Sequence, residues 1–292
     1  MIALETRTWK VADWKSFPLA SGATALWWLG QAGFAVRYGS RSFLIDPYLS
    51  DSLARKYAGT AYPHIRMMPP PVSAEQVSDA DWVFCTHRHT DHMDPETLQV
   101  IAQNPRCRFV IPRAVMGHVV EKIGLDAGRV LGMNAGESAE LATGVSVVAL
   151  PSAHEELNVN EKGEHAFLGY RVSLDGMSVY HAGDCVPYGD HSRWLHQAGR
   201  IDVALLPVNG RDAARTTHGV LGNFTLDEAL ALGRTFSVPW TVVHHFGLFD
   251  FNTLDPALIA RRLAETGEGA RVVVPVVDHV YLFSRPPESA CE

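Results

Sequence analysis

Three histidines and two aspartates fall within eight residues of the segment 85–94, which has the sequence CTHRHTDHMD. Imidazole and carboxylate groups are ligands that Zn²⁺, Mn²⁺ and Fe²⁺ accept in proteins. A solvated loop rich in histidine would have the same composition. The choice between a metal site and a loop therefore depends on whether the rest of the chain supplies further ligands.

The spacing within this segment favours ligands for two ions. The apolar run 82–84 before it predicts a buried strand, and residues two apart in an extended chain project from the same face. His87 and His89 can therefore point together at one ion. Asp91 and His92 lie where the strand gives way to a helix and can reach a second ion.

Ligand-type residues also stand at the ends of three other predicted strands. His154 ends VVALPSAH, Asp184 ends SVYHAGD and His245 ends TVVHH. A carboxylate such as Asp184 can bridge two ions, and ions roughly 3.5–4 Å apart can share a hydroxide. The pattern thus predicts a hydrolytic site with two divalent ions, Zn²⁺, Mn²⁺ or Fe²⁺, rather than a wet loop.

Strands and helices must interleave to position these ligands. Strands are predicted in a meander within 25–49 and at 81–87, 145–154, 167–184, 201–208, 240–245 and 271–277, with the 167–184 segment a hairpin about Asp175 and Gly176. Helices are predicted at 94–104, 112–124, 225–236 and 255–267. Asp94, Thr225 and Asp255 are the predicted N-caps of the first, third and fourth of these helices. The class is α/β or α+β. Residues 51–80 have little regular pattern, which predicts a lid or binding loop.

Composition restricts the partners. The chain has 292 residues, 47% of them hydrophobic, a formal net charge of −7 and no run of Lys and Arg longer than two. A nucleic-acid surface needs clustered positive charge, so no DNA partner is expected. The four cysteines form no C-x-x-C pair, no secretory signal is visible and no window reaches the roughly 18 apolar residues of a membrane helix. We therefore expect a cytoplasmic protein without a membrane partner; assembly into a homo-oligomer is left open.

The ordered set H-x-H-x-D-H, His154, A-G-D and His245 resembles the metallo-β-lactamase superfamily. The resemblance spans nearly the whole chain and implies one α+β domain over residues 1–292, a four-layer αββα sandwich with a binuclear site at one edge. It implies that His87, His89 and His154 hold one ion. It implies the same role for Asp91, His92 and His245 toward the other, with Asp184 bridging.

His244 and Asp46 lie beside the predicted ligands, and the sequence allows two roles for each of them. An ungapped alignment through HFGLFDFNTLDP favours His245 over its neighbour His244 as the last ligand, and His244 would then support the ligands from behind. Asp46 in FLIDPYL is either a turn residue or the acceptor of a ligand histidine's other N–H. His181 is expected to be a core histidine.

A closer likeness exists within the superfamily. WWLGQAGF, YHAGDCVPYGD, IDVALLPVNGRD and HHFGLFDFNTLDP look like the L-ascorbate-6-phosphate lactonase family and its relatives. Those lactonases lack a histidine at the position of His154. The substrate does not follow from the fold, because one fold carries many chemistries.

The segment 209–224 is the candidate anion pocket, with a surface loop as the alternative. Arg211 and Arg215 would hold a phosphate or carboxylate. Amide and hydroxyl contacts to the substrate are expected from the remaining three candidates: Asn209, Asn223 and Tyr188. Lys56, Tyr57 and Arg66 would close over the same site.

The favoured function is a metal-dependent hydrolase that opens a lactone or ester of a small anionic sugar by attack of the bridging hydroxide. Asp91 and Asp184 are its expected catalytic residues, with Asp91 accepting the proton. The alternative is a phosphodiesterase acting on a nucleotide, a lipid head group or RNA. A metal-bound scaffold without catalysis is the third reading, and the full ligand set argues against it. Classical β-lactam hydrolysis is disfavoured because no export signal is visible.

Overall fold

The computed structural model describes residues 2–285, which form two mixed sheets with helices outside them. The eight strands of the first sheet are, in spatial order, β1 (Ala3–Thr8), β15 (His279–Ser284), β2 (Thr24–Gly30), β3 (Gly33–Tyr38), β4 (Arg41–Ile45), β5 (Trp82–Phe84), β6 (Arg108–Pro112) and β7 (Val130–Met133). The seven strands of the second are β14 (Val272–Val273), β13 (Trp240–His244), β12 (Val203–Pro207), β11 (Met177–His181), β10 (Leu168–Leu174), β9 (Val145–Pro151) and β8 (Ser138–Ala142).

Both sheets repeat one arrangement. An antiparallel meander, β2–β3–β4 or β9–β10–β11, leads into a run of parallel strands, β4–β5–β6–β7 or β11–β12–β13–β14. Parallel strands end at the same edge of a sheet, so the segments that follow β11 and β13 lie at one edge of the second sheet. Contacts of Asp184 with His92 and His245 show that the segment following β5 of the first sheet meets them there. Those segments carry most of the predicted ligands.

Apolar side chains alternate between the two faces of the first sheet, and both faces are therefore covered by other layers. Phe34, Phe43 and Phe84 belong to the buried cluster between the sheets, while their neighbours Leu44 and Val83 pack on the opposite side. Side chains of a strand point alternately to its two faces, so each sheet has an inner face and an outer face. The helices cover the outer faces, which confirms the expected α+β sandwich with helices on both sides.

The structure has six α-helices among its described residues: α1 (Ser52–Lys56), α2 (Pro95–Ile101), α3 (His191–Ala198), α4 (Ala213–Thr217), α5 (Leu226–Thr235) and α6 (Pro256–Thr266). The predicted N-caps of the long helices are confirmed. The Asp94 side chain accepts the Thr97 N–H, Asp255 accepts the Ala257 N–H, and Thr225 forms a capping box with Glu228. These side chains satisfy N–H groups that the first turn leaves free.

Two predicted elements differ from the structure in helix type or in extent. The segment predicted as a helix at 112–124 is helical over 113–123, but it runs from the 3-10 turn Arg113–Val115 into the π-helical segment His118–Ile123 and is not α-helical throughout. Gly124 follows with a left-handed φ of 83° and ends the run, as predicted. The strand predicted at 271–277 is only Val272–Val273, because Pro275 cannot donate a ladder hydrogen bond.

Several elements were not predicted, namely α1, α3, α4, β1, β6, β7, β8 and β15. Within 51–80 only α1 and the 3-10 turn Glu75–Val77 are regular. Across the described part of the chain, no helix combines the length and the apolar character that a membrane crossing requires.

His191 at the start of α3 gives a pH-dependence of stability that can be measured. It is buried between the rings of Tyr188 and Phe224, and burial lowers its pKa from 6.5 to about 4. As the pH falls below 6.5 the unfolded chain takes up a proton that the folded chain refuses, so stability declines between pH 6.5 and 4. We expect His191→Phe to remove a contribution on the order of 3 kcal/mol to that decline.

The measurement is urea unfolding of both proteins, freed of metal, at several pH values in that window. His196→Phe, at an exposed position of the same helix, is the control and should leave the slope unchanged. An unchanged slope in His191→Phe would show that His191 titrates normally in the folded protein.

Candidate metal centre

Asp184 lies at the centre of the cluster, with each carboxylate oxygen facing a different pair of imidazoles. Its Oδ1 is 3.2 Å from His92 Nε2 and 3.3 Å from His245 Nε2. Its Oδ2 is 3.6 Å from His154 Nε2 and 4.0 Å from His87 Nε2. A carboxylate in this position can share its two oxygens between two ions.

The two remaining candidates complete the two groups. The His89 ring lies 4.6 Å from the His87 ring and 5.3 Å from the His154 ring, measured between centroids. Asp91 Oδ2 lies 3.6 Å from His92 Nε2 and 3.7 Å from His245 Nε2. The structure thus brings together all seven residues that were proposed as ligands from the sequence.

The donor atoms fit divalent cations. Ligand atoms lie within 4.8 Å of one another in three sets, His87–His92–Asp184, His89–His154–Asp184 and Asp91–His92–His245. Three of these buried atoms, His87 Nε2, His92 Nε2 and Asp184 Oδ1, make no hydrogen bond to the described residues. Buried polar atoms without partners are costly, so a cluster of lone pairs around one point indicates that ions complete it.

The histidines of the first group, His87, His89 and His154, are uncharged near pH 7. Burial lowers the pKa of His87 well below its ordinary value, and the neighbouring imidazoles of His92 and His89 add to the effect. Burial likewise lowers the pKa of His89 to about 4 and that of His154 below its usual value. These imidazoles are neutral near pH 7, which is the form that binds a metal.

The second group concentrates negative charge around one imidazole. Burial opposes the charged form of His92, but the carboxylates of Asp184, Asp91 and Asp46 together raise its pKa well above the ordinary value. Burial opposes the charged form of Asp184 too, but His245 and His92 hold its pKa well below the usual range. A cation bound here would replace the proton on His92.

Hydrogen bonds from behind fix which ring nitrogen faces the site. Asp46 Oδ2 lies 2.7 Å from His92 Nδ1, and its two oxygens also accept the Thr86 N–H at 2.8 Å and hydroxyl at 2.6 Å. The Thr86 hydroxyl lies 3.0 Å from His87 Nδ1. Because Nδ1 is engaged in both imidazoles, Nε2 is left to the site. Asp46 is therefore placed as the acceptor that one reading of the sequence expected.

The backbone around the ligands tolerates few substitutions. Asp46 and His245 adopt positive φ, 45° and 64°, which residues other than glycine rarely do. Gly183, with φ of 65°, packs so closely that a Cβ there would lie 2.9 Å from the Thr86 Cβ. Glycine at this position lets Asp184 approach the segment that carries His87.

Gln31 is a site residue that the sequence reasoning missed. It is buried, with its Nε2 lying 3.1 Å from Asp91 Oδ2 and 3.3 Å from His245 Nε2. Its backbone oxygen accepts the His245 N–H at 3.0 Å. The signal was a lone polar side chain within the apolar run WWLGQAGF.

His244 does not take the supporting role expected of it. Its ring stacks on His181 at 4.7 Å and meets the edge of Phe34, and neither of its nitrogens has a hydrogen-bond partner among the described residues. Burial lowers its pKa well below the ordinary value. His181 is the core histidine that was expected, with its Nε2 2.9 Å from the Ala32 oxygen.

The expected anion pocket is not formed by the two arginines. Arg211 makes a two-pronged ion pair with Glu228, at 2.7 Å for each bond. Arg215 bonds to Asp212 and donates to Asn252 Oδ1 at 2.9 Å. Both guanidinium groups are thus committed to local partners, and neither belongs to the described residues that line the cavity.

The three uncharged candidates are also engaged elsewhere. Asn209 donates to Asn252 Oδ1 at 2.7 Å and accepts from Asn223 at 3.0 Å, and both asparagines are buried. The Tyr188 hydroxyl donates to the Pro151 oxygen at 2.7 Å. None of the three is among the described residues lining the cavity, so they shape the loop behind it.

A cavity of about 760 Å³ opens directly above the ligands. Its floor contains His89, Asp91, His154, Asp184 and His245. The segment expected to act as a lid contributes seven of its lining residues: Leu53, Lys56, Tyr57, Thr60, Ala61, Tyr62 and His64. Arg66 is not among them; its guanidinium binds the backbone oxygens of Ser50 and Met68.

The comparisons with known proteins decide the family. The model of the beta-lactamase superfamily domain matches residues 41–246, more than half of the chain. The chain belongs to the metallo-β-lactamase superfamily. A UPF0173 metal-dependent hydrolase of Thermococcus kodakarensis is 33% identical over 183 residues, covering 62% of this chain and 70% of the relative. One from Pyrococcus abyssi is 30% identical over 248 residues, covering 84% and 93%. The chain is a metal-dependent hydrolase of this kind.

Solved structures support the same fold. An isothiocyanate hydrolase from Delia radicum gut bacteria has a TM-score of 0.70 at 18% identity, covering 89% of this chain and 100% of that one. A metallo hydrolase from Ignicoccus hospitalis has a TM-score of 0.65 at 21% identity, covering 89% and 98%. At such identities the likeness concerns the fold alone.

Asp46→Asn tests the support of His92. The amide cannot serve at once as acceptor for Thr86 and for His92 Nδ1–H, so we expect metal affinity to fall about 10- to 100-fold. Competition with a chromogenic chelator measures it. Asp81→Asn is the matched control, because Asp81 accepts the Ser42 N–H and hydroxyl in the same way but away from the ligands. Equal metal affinities of Asp46→Asn and the wild type would show that Asp46 does not support metal binding through His92.

Gln31→Leu tests the amide beside Asp91. Loss of the N–H that holds Asp91 Oδ2 should weaken metal binding at the Asp91 side of the cluster by about 10- to 100-fold while the fold persists. Metal titration of the metal-free protein followed by calorimetry resolves the binding steps. Gln99→Leu, on the exposed face of α2, is the control. Two unchanged binding steps in Gln31→Leu would contradict a positioning role.

Proposed function

We propose that this protein hydrolyses a carboxylic ester or lactone at the centre built around Asp184. The proposal is supported by the position of Asp184, whose two carboxylate oxygens face two different groups of histidines. Both groups lie beneath one cavity. Two divalent ions bound there would lower the pKa of water enough to supply a nucleophile near neutral pH. The ions proposed are Zn²⁺ or Mn²⁺, with Fe²⁺ compatible with the same donors.

The residues of the chain hold and orient the reacting groups. His87, His89 and His154 would hold one ion as neutral imidazoles on one side of Asp184. On the other side, His92 is fixed by Asp46, and Asp91 faces the cavity with its carboxylate beside the Gln31 amide. Burial opposes the charge on Asp91, but His92 and His245 keep its pKa below the usual value. Asp91 is therefore anionic, and it could hold an ion on this side of Asp184 and accept a hydrogen bond from the attacking water.

The cavity does not favour a phosphorylated sugar as the substrate. Arg211 and Arg215, which would have bound its phosphate, are paired with carboxylates outside the cavity. Lys56 and Arg88 are the lysine and arginine among the described residues that line the cavity. An ester or lactone with a modest charge fits these side chains better than a phosphorylated one.

Phosphodiester hydrolysis is the second candidate. The same nucleophile can attack phosphorus, and Lys56 and Arg88 open onto the same cavity as the ligands, where they could pair with a phosphate oxygen. This candidate differs from the first only in the atom attacked, so one experiment separates them.

The test is metal-dependent turnover on a panel of neutral and anionic lactones, L-ascorbate 6-phosphate among them, and on bis(p-nitrophenyl) phosphate. Protein loaded separately with Zn²⁺ and Mn²⁺ is used. We expect lactone hydrolysis that falls by about 10²- to 10⁴-fold in Asp91→Asn. Asp126→Asn, at an exposed helix cap, is the control and should keep full activity. Turnover of the phosphodiester with no turnover of any lactone would transfer the assignment to the second candidate.

A further inference from the structure

One side of the cavity is built from aromatic rings. Tyr57, Tyr62 and His64 come from the segment after α1, and Phe249 and Phe251 come from the segment after β13. We call these five residues the aromatic wall. All five line the same cavity as Asp91, Asp184 and three of the ligand histidines.

The wall is packed as a unit. His64 lies at its centre, stacked on Tyr57 at 4.3 Å and meeting the edges of Phe249 at 5.0 Å and Phe251 at 4.7 Å. Tyr62 packs against Phe251 at 4.7 Å. Ring pairs at these distances attract one another, so the wall is preformed rather than assembled around a ligand.

One nitrogen of the central ring is already used within the wall. His64 Nδ1 lies 2.6 Å from the backbone oxygen of Tyr62, and His64 adopts a φ of 54°, which is uncommon for histidine. Burial also lowers its pKa, so the ring is neutral near pH 7. His64 therefore contributes a flat uncharged surface.

Charge is scarce on this side of the cavity. Lys56 is the one cation that lies against the wall among the described residues, with its Nζ 5.0 Å from the Tyr57 ring centroid. The carboxylates that line the cavity, Asp91 and Asp184, belong to the metal centre at its floor. A ligand that reaches from the floor to the wall thus passes from a charged region to an apolar one.

We propose that the cavity selects esters or lactones that carry a flat aromatic group, with the carbonyl at the metal centre and the ring on the aromatic wall. This inference rests on the proposed function for the placement of the carbonyl. The stacking on the wall is independent of it. Aromatic stacking and burial of apolar area favour such a substrate over an aliphatic or sugar lactone of the same ring size.

Binding is tested first, with ketones that cannot be hydrolysed. Calorimetry on the metal-loaded protein compares 2-tetralone, the carbon analogue of dihydrocoumarin, with cyclohexanone, the carbon analogue of δ-valerolactone. We expect 2-tetralone to bind at least about tenfold more tightly. Tyr62→Leu and Phe251→Leu, which keep an apolar side chain but remove the ring, should each reduce this preference by about 3- to 10-fold.

Phe236→Leu is the matched control, because Phe236 is a half-buried ring outside the cavity. Thermal unfolding of each variant shows whether it has kept its fold. Equal binding of the two ketones, or a preference that survives both wall variants in folded protein, would overturn the inference.

Turnover separates this inference from the proposed function. The ratio of kcat/KM for dihydrocoumarin to that for δ-valerolactone should fall in Tyr62→Leu and Phe251→Leu, mostly through KM, and stay constant in Phe236→Leu. If neither lactone is hydrolysed but 2-tetralone still binds in a wall-dependent way, the proposed function fails and the aromatic site stands. If both lactones are hydrolysed with a ratio that the wall variants do not change, the aromatic site fails and the proposed function stands.

Discussion

A buried carboxylate shared between two groups of imidazoles is the constraint on which the rest of the structure depends. Asp184 is only 4% exposed, and it faces four histidines with no lysine or arginine among its described partners. Burying so many carboxylate oxygens and imidazole nitrogens without hydrogen-bond partners is unfavourable unless cations bind to them. The arrangement of strand ends, the positive φ at His245 and the glycine before Asp184 all serve to hold this carboxylate between its neighbours.

The same centre joins the two sheets. The first sheet supplies the ligands that follow β5, and the second supplies those that follow β9, β11 and β13. Hydrogen bonds cross between the sheets close to the ligands: the Gln31 oxygen accepts the His245 N–H, and the Thr86 oxygen accepts the Leu168 N–H at 2.9 Å. Asp46 and Thr86, which orient His92 and His87, lie on the same seam. The residues that orient the ligands therefore also fix the relative position of the two sheets. A shift of one sheet against the other would change the ligand geometry.

The ligands could be predicted from the sequence because they are residue types with specific chemistry at strand ends, and strand ends at one edge meet. The substrate residues could not. Arg211 offers the same fork to a phosphate as to Glu228, and only the fold shows that Glu228, at the start of α5, takes it. The aromatic wall was missed for a related reason: Tyr57 and Phe251 lie nearly two hundred positions apart in segments without periodicity. Local pattern likewise predicted the helical segment at 112–124 but not that it passes from a 3-10 turn into a π-helical segment.

We propose that two cations bind on opposite sides of Asp184. Crystals of protein loaded with Zn²⁺, with diffraction data on both sides of the zinc absorption edge, test it most directly. We expect two anomalous peaks roughly 3.5–4 Å apart. One should be bounded by His87, His89 and His154, and the other by His92, His245 and Asp91, with an Asp184 oxygen toward each. A single peak in fully loaded protein, or two peaks on the same side of Asp184, would contradict the account.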